Sequence, residues 1–100
     1  TVANVFIVSN GIIKAPRLSE GCVDGVMRKY LMNCFATEGI PFFEAEITHE
    51  ELLNASEVFL TNAIYGVRWV KKVANSNYNN ATSSFLYQKF IVPLFGTATI

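Results

Sequence analysis

Net charge is the first thing this chain lacks: eight Lys and Arg stand against eight Asp and Glu in 100 residues. That balance excludes the broad basic field by which nucleic acid or an anionic membrane is drawn in, so any anion must be recognised locally. Long apolar runs are also missing. None approaches the roughly 20 residues of a membrane-spanning helix, and no signal-peptide pattern opens the chain, so a soluble protein with no membrane partner is expected. Cysteine and histidine are scarce. Cys22 and Cys34 lie too far apart for a CxxC motif, and the single His49 completes no zinc set, so no metal site is expected. Both thiols read as free, which fits a reducing, cytoplasmic setting, with Cys34 packed in a core. Neither GxGxxG nor GxxxxGK[ST] occurs, so no standard nucleotide loop is present.

What is abundant is hydrophobic: 51% of the chain. Counting glycine in place of tyrosine raises the share further, above the about 45–50% usual for soluble domains, which points to surface covered by further chain or by a second subunit. The length suits one domain. The first residues, TVANVFIV, open at the edge of an apolar run without a methionine, and the expectation is a piece of a longer protein.

Elements follow from spacing. Residues 4 to 8 form a β-branched and aromatic run, Asn10-Gly11 makes a hairpin turn, and Ile12-Ile13 begins the return strand. A helix over 24–36 is predicted because Val23, Met27, Leu31, Cys34 and Phe35 fall on one face, with Arg28, Lys29 and Asn33 on another. Gly39 caps it and Pro41 prevents continuation. Residues 41 to 47 read as an edge strand with Phe43, Ala45 and Ile47 on one face and solvent-facing Glu44 and Glu46 on the other. Thr48-His49-Glu50-Glu51 is a capping box opening a second helix, whose apolar side is Leu52 and Leu53. Strands are expected at 57–60 and 66–70, an Asn- and Ser-rich loop at 73–80, and a last helix at about 82–92 stopped by Pro93. Short strands alternating with about three helices give a mixed α/β or α+β domain.

Chemistry concentrates at the start of the first helix. Gly21-Cys22-Val23-Asp24-Gly25 leads into Val26 and Met27, where free backbone N–H groups and small residues suit an anion. Arg28 and Lys29 stand at the same end, where cations cost about 0.3–1 kcal/mol unless something anionic is near. Two readings stay open: a bound anion, with Thr61 and Asn62 adding donors, or a plain loop with Asp24 as N-cap and Arg28 paired to a surface carboxylate. His49 belongs to the capping box, and Glu44, Glu46, Glu50 and Glu51 have nothing apolar beside them to make an acid/base pair. No nucleophile with a neighbouring base is present.

The order Asn4-Val5-Phe6-Ile7, a hairpin, Gly21-Cys22-Val23-Asp24-Gly25-Val26-Met27-Arg28, Gly39-Ile40-Pro41, Glu51-Leu52 and Glu57-Val58-Phe59-Leu60-Thr61-Asn62-Ala63 resembles the class IV pyridoxal-phosphate enzymes. These include branched-chain and D-amino-acid aminotransferases and aminodeoxychorismate lyase, and the match covers roughly residues 1 to 70. The resemblance implies that residues 1–100 are part of the larger, C-terminal domain of the D-amino-acid aminotransferase-like fold. It further implies a phosphate bed at Gly25, Val26 and Met27, a further contact at Thr61, Asn62 and Ala63, and packing of Val23 on the cofactor ring. Arg28 matches the arginine of the family's Gly-Ile-Thr-Arg block, which implies a positioning role, and Lys29 is expected at the surface. The family's Schiff-base lysine and a phosphate-binding arginine match positions upstream of Asn4, and the carboxylate facing the pyridine nitrogen falls just before Thr1. Lys14, Lys71, Lys72 and Lys89 match none of them, so no catalytic residue is assigned and these 100 residues alone are expected to be inactive.

Thr61-Asn62-Ala63 looks more like the lyase pattern than the Gly-Thr of the aminotransferases. Where members of both groups continue into Pro-Val, this chain has Tyr65-Gly66-Val67-Arg68-Trp69. Arg68 reads equally as a reader of a substrate carboxylate or as a surface ion-pair residue. The family also implies a homodimer acting on an amino acid or on aminodeoxychorismate. The competing reading is a non-catalytic α/β module that binds a phosphorylated metabolite or a partner chain through the same turn.

Overall fold

Asn10 and Gly11 both adopt positive φ, 53° and 77°, as the two central residues of a type I′ hairpin must. The turn joins β1 (Asn4–Ser9) to β2 (Ile12–Ala15) and sets Val8 opposite Ile13. The structure is a computed structural model and describes residues 3–17 and 25–96, with the backbone alone at 95 and 96. After α1 (Val26–Glu38) come β3 (Phe42–Glu44), α2 (His49–Asn54), β4 (Glu57–Asn62) and β5 (Gly66–Trp69). The five strands form one sheet in the order β3-β2-β1-β4-β5, in which only the β2–β3 pairing is parallel. Strands and helices do alternate, giving the mixed α/β architecture that the spacing implies.

The period-2 alternation of each strand feeds two separate cores, one on each face of the sheet. Phe6, Val8, Ile13, Ala15, Phe59 and Val67 turn toward α1, where Met27, Leu31 and Phe35 meet them. On the reverse face Ile7, Val58, Ala55 and Tyr78 pack together, with Leu52 of α2 against them. The Tyr78 hydroxyl donates to the Leu52 carbonyl at 2.6 Å, and burial pushes its pKa up.

Local end signals act as their chemistry requires. In α2 the Glu51 N–H donates to Thr48 Oγ1 at 3.1 Å while the Thr48 N–H donates to Glu51 Oε1 at 3.0 Å, and His49 sits exposed at the first helical position. Gly39 closes α1 with its N–H on the Phe35 carbonyl. Cys34 packs against the core as expected, whereas Cys22 lies outside the described residues.

Several elements differ from the sequence expectation. The first helix begins at Val26 and reaches Glu38, two residues later at each end. The edge strand is shortened to Phe42–Glu44. Phe42 packs on Phe35 with ring centroids 5.5 Å apart, while Phe43 is 47% exposed at the sheet edge. The stretch 73–80 is not only loop: Lys72–Val73 (β6) and Ser76–Asn77 (β7) form a small hairpin, and its continuation, Tyr78, enters the core. The last helix is not stopped by Pro93. It starts as α3 (Ala81–Leu86), widens to a π turn over Tyr87–Ile91 and resumes as α4 (Val92–Gly96). The Val92 N–H donates to the Tyr87 carbonyl, so Pro93 falls in the first turn after a register shift, where its missing N–H is tolerated. The start of α3 is served by the buried Glu57 carboxylate, which accepts from the N–H groups of Thr82 and Ser83 at 2.8 and 3.0 Å.

Lys14 of β2 pairs with Glu51, tying α2 to the sheet. The Lys14 hydrogen bond, followed by that from the Thr48 backbone, lowers the pKa of Glu51. A carboxylate whose pKa is lower folded than unfolded contributes stability above the unfolded value, and that contribution is lost as pH falls through the folded value. Urea midpoints measured on either side of about pH 4.3 are therefore expected to fall with acidification in the parent chain. The fall should be shallower in Glu51→Gln, and equal slopes in the two proteins would refute the role of this pair.

Candidate functional site

The α1 face of the sheet carries two polar residues at positions where alternation would place apolar ones. Asn4 precedes Phe6 and Val8 along β1, and Thr61 follows Phe59 along β4; the two are paired directly across the strands. Both are buried, to 6% and 0% exposure, and neither Asn4 Oδ1 nor Thr61 Oγ1 has a hydrogen-bond partner among the described residues. An unpartnered buried polar atom costs about 1–3 kcal/mol; of these two, the Thr61 hydroxyl can donate to an anion, whereas Asn4 Oδ1 only accepts.

The start of α1 lies against this pair. A Cβ built on Gly25 would fall 2.8 Å from Asn4 Nδ2, so a larger residue here would have to push the Asn4 side chain aside. Gly25 is also the N-cap, without a side-chain hydrogen bond to the helix, and the first turn contains no acidic residue. Gly25 thus offers the N–H groups of this turn no side-chain acceptor, and the macrodipole adds partial positive charge. Val26 is 78% exposed at the mouth, and Met27 turns into the core.

The structure thus brings Gly25, Val26, Met27 and Thr61 together, and it adds Asn4, which sequence reasoning named only as part of a resembling block. Its signal was a polar residue in an inward register. Val23 lies outside the described residues, as does Asp24, the proposed cap in the alternative reading. Asn62 builds the turn after β4: its Oδ1 accepts from the N–H groups of Ile64 and Tyr65, each at 3.0 Å, which leaves its amide nitrogen as the side-chain donor. Ala63 is exposed on the same turn.

Arg28 pairs with a carboxylate, as the plain-loop reading has it, though its own side chain is buried. It is 2% exposed, and its Nη2 donates to Glu44 Oε2 at 2.6 Å and to the Pro16 carbonyl at 2.7 Å. Glu44 is accordingly an ion-pair partner rather than a purely solvent-facing charge. Lys29 is exposed, as expected. Arg68 is not with this group: it is paired with Leu60, on the face opposite Thr61, and its guanidinium lies 4.1 Å from the Tyr65 ring centre. There it lines a cleft of about 460 Å³ with Trp69, Ser83 and Tyr87. Lys14 and Lys89 pair with Glu51 and Glu38 away from Thr61, and Lys71 lies over Trp69. No cluster of His, Cys, Asp or Glu suited to a metal occurs among the described residues, and no helix among them is long and apolar enough to cross a membrane.

Pyridoxal phosphate, the cofactor that the resemblance implies, fits what is present. N–H groups given no side-chain cap by Gly25 and the Thr61 hydroxyl suit phosphate oxygens, and the absent Cβ at Gly25 leaves room beside Asn4. The sequence profile of the amino-transferase class IV family matches residues 1–73. A probable branched-chain-amino-acid aminotransferase of Synechocystis is 35% identical over 75 residues, which is 75% of this chain and 25% of that protein. An aminodeoxychorismate lyase of Vibrio harveyi is 34% identical over 74 residues, 74% of this chain and 27% of that protein. The crystal structure of a putative 4-amino-4-deoxychorismate lyase from Legionella pneumophila superposes with a TM-score of 0.83 at 28% identity, covering 92% of this chain and 34% of that one. The chain spans about a quarter of the length of the curated relatives it matches. By profile, relatives and fold alike, it belongs to the class IV aminotransferase family.

Proposed function

We propose that this chain forms the phosphate-holding part of a pyridoxal-phosphate site in a class IV enzyme. The observation that carries the reading is the start of α1, given no side-chain cap by Gly25, set beside the buried Thr61 hydroxyl, which has no partner among the described residues. Val26 and Met27 present backbone N–H groups to the phosphate, Thr61 adds its hydroxyl and Asn62 its amide nitrogen, and Gly25 and Ala63 keep the approach open. When bound, the cofactor supplies an electron sink for the carbanion of an amino substrate. This chain's residues orient that group and shield its phosphate from water.

The lysine that handles the substrate proton, and the arginine that completes the phosphate site, come from sequence outside these 100 residues. The substrate is an amino acid or aminodeoxychorismate. Thr61-Asn62-Ala63 favours the lyase, and Arg68, stacked on Tyr65 beside a cleft, is the candidate for reading a substrate carboxylate. The working enzyme is a cytoplasmic homodimer, which accounts for exposed Ile64, Phe85, Val92 and Leu94.

Amide NMR of the 100-residue chain tests the reading. Pyridoxal 5'-phosphate should shift the Val26, Met27 and Thr61 signals at millimolar concentration, inorganic phosphate should do so more weakly, and unphosphorylated pyridoxal should not. Gly25→Ala should remove the response, and no amino acid should be turned over. Shifts confined to other residues would defeat the assignment. Equal response to any phosphorylated metabolite, with no preference for the pyridine ring, would instead favour a non-catalytic module.

A further inference from the structure

Two neighbouring residues of β5 hold polar groups that nothing answers. Arg68 is exposed, its guanidinium lies over the Tyr65 ring, and no carboxylate pairs with it among the described residues. Contact with a ring uses the face of a guanidinium and leaves free the N–H edge that grips a carboxylate by two bonds. Trp69 keeps its indole Nε1 buried without a hydrogen-bond partner among the described residues. An indole nitrogen only donates, so what it lacks is an acceptor.

Both residues line the cleft of about 460 Å³ between β5 and the start of α3, and the other large side chains around it are Tyr65 and Tyr87. Aromatic walls with a few polar groups suit a small molecule with a flat apolar body. The helix start is not what draws an anion here, because the Thr82 and Ser83 N–H groups are given to Glu57. The charge comes from Arg68. None of the lining residues belongs to the phosphate bed, and Arg68 lies on the sheet face opposite Thr61.

We infer that this cleft is a second anion site, separate from the phosphate bed, for a carboxylic acid borne on a flat ring. Arg68 holds the carboxylate, Trp69 Nε1 donates to one of its oxygens, and Tyr65 and Tyr87 flank the ring. The inference rests on the reading of Arg68 as the residue that meets a carboxylate, and it adds what that acid is attached to. An aliphatic acid would satisfy the guanidinium but leave the aromatic walls unfilled.

The 100-residue chain is titrated with benzoate, with isovalerate as an acid lacking the ring, and with benzamide as a ring lacking the charge. The signals followed are the Arg68 amide and the indole N–H of the chain's single tryptophan. Benzoate should move both, and isovalerate and benzamide should each bind about tenfold more weakly. Arg68→Gln should weaken benzoate by about tenfold, and Trp69→Phe, which keeps a ring and loses the donor, by about fivefold. Saturating inorganic phosphate should leave the benzoate affinity unchanged.

Equal binding of isovalerate and benzoate overturns the ring preference while leaving Arg68 as a carboxylate reader. Silence toward both acids overturns that reading and this inference with it, whatever the response of Val26 and Met27 to phosphate. Equal binding of benzamide would reduce the cleft to an apolar slot, and competition between benzoate and phosphate would merge the two sites into one; either result overturns the inference. A shift at Arg68 with a motionless indole signal places the acid outside the cleft and does the same. If Trp69→Phe fails to fold, Arg68→Gln carries the test, because Arg68 is exposed.

Discussion

Phe59→Ala is expected to destabilise the chain by about 3–5 kcal/mol, the range for deleting a buried ring. Phe59 has no exposed surface. Its ring stacks on Phe6 at 5.2 Å with the planes 5° apart, and Phe6 in turn meets Phe35 edge-on at 6.2 Å. These three rings join the two central strands to α1, so the cavity would open where the sheet and helix meet and have little room to collapse. Domains of this length have about 5–15 kcal/mol in total, so a large part of the folded population is at stake. Urea titration followed by Trp69 fluorescence should show a lower midpoint with an unchanged slope. Phe59→Leu should lose about 1.5 kcal/mol or less, since it keeps most of the volume. Phe43→Ala, at an exposed ring, sets the baseline and should cost under about 1 kcal/mol. Because Phe59 shares its face with Thr61 two residues on, the same variant should also blunt the phosphate response of the Thr61 amide.

Features decided within a few residues were legible in the sequence. The Asn10-Gly11 turn, the Thr48–Glu51 box and the Gly39 cap each follow from the dihedral or donor needs of their own neighbourhood, and each stands in the structure. Features decided by contact across the chain were not. Helical periodicity placed Arg28 on a polar face, since charge is all that a pattern sees. A carboxylate 16 residues away in sequence reverses that, making burial of the guanidinium tolerable. Tyr78 sat in a run of Asn and Ser that reads as loop, yet the Leu52 carbonyl waits for its hydroxyl. Pro93 read as a stop because sequence spacing assumes a constant register, which the π turn at Tyr87–Ile91 breaks. The site itself was half visible. Gly25, Val26 and Met27 announced a helix start, but the pairing of Asn4 with Thr61 that gives this start its polar floor depends on strand register. Asn4 would have drawn notice as the one polar residue in the inward series Asn4, Phe6, Val8.

Gly66→Ala should be the second severe substitution, at about 2–5 kcal/mol, from two independent causes. Gly66 has φ +77°, a backbone conformation that costs an L residue about 1–2 kcal/mol. A Cβ there would also stand 2.6 Å from Ile91 Cγ2, with two further Ile91 carbons at 3.2 and 3.3 Å, and Ile91 has no exposed surface into which to retreat. Either the π segment carrying Ile91 lifts from the sheet or the turn from Asn62 to Gly66 opens. The double variant Gly66→Ala/Ile91→Ala separates the causes: removing the Ile91 branches relieves the clash and leaves the backbone strain. The two substitutions should therefore be non-additive, with the double variant more stable than the sum of the singles by about 1–3 kcal/mol. Additive losses would mean that the strained φ alone makes Gly66 necessary. The choice bears on the site, because Gly66 pairs with Asn62 and closes the turn that follows Thr61. If the turn yields, the Asn62 hydrogen bonds to Ile64 and Tyr65 break and the Thr61 response to phosphate fades in the single variant but recovers in the double. If the helix yields instead, Thr61 keeps its response while the Tyr30 hydroxyl loses the Phe90 carbonyl that it now holds at 2.9 Å.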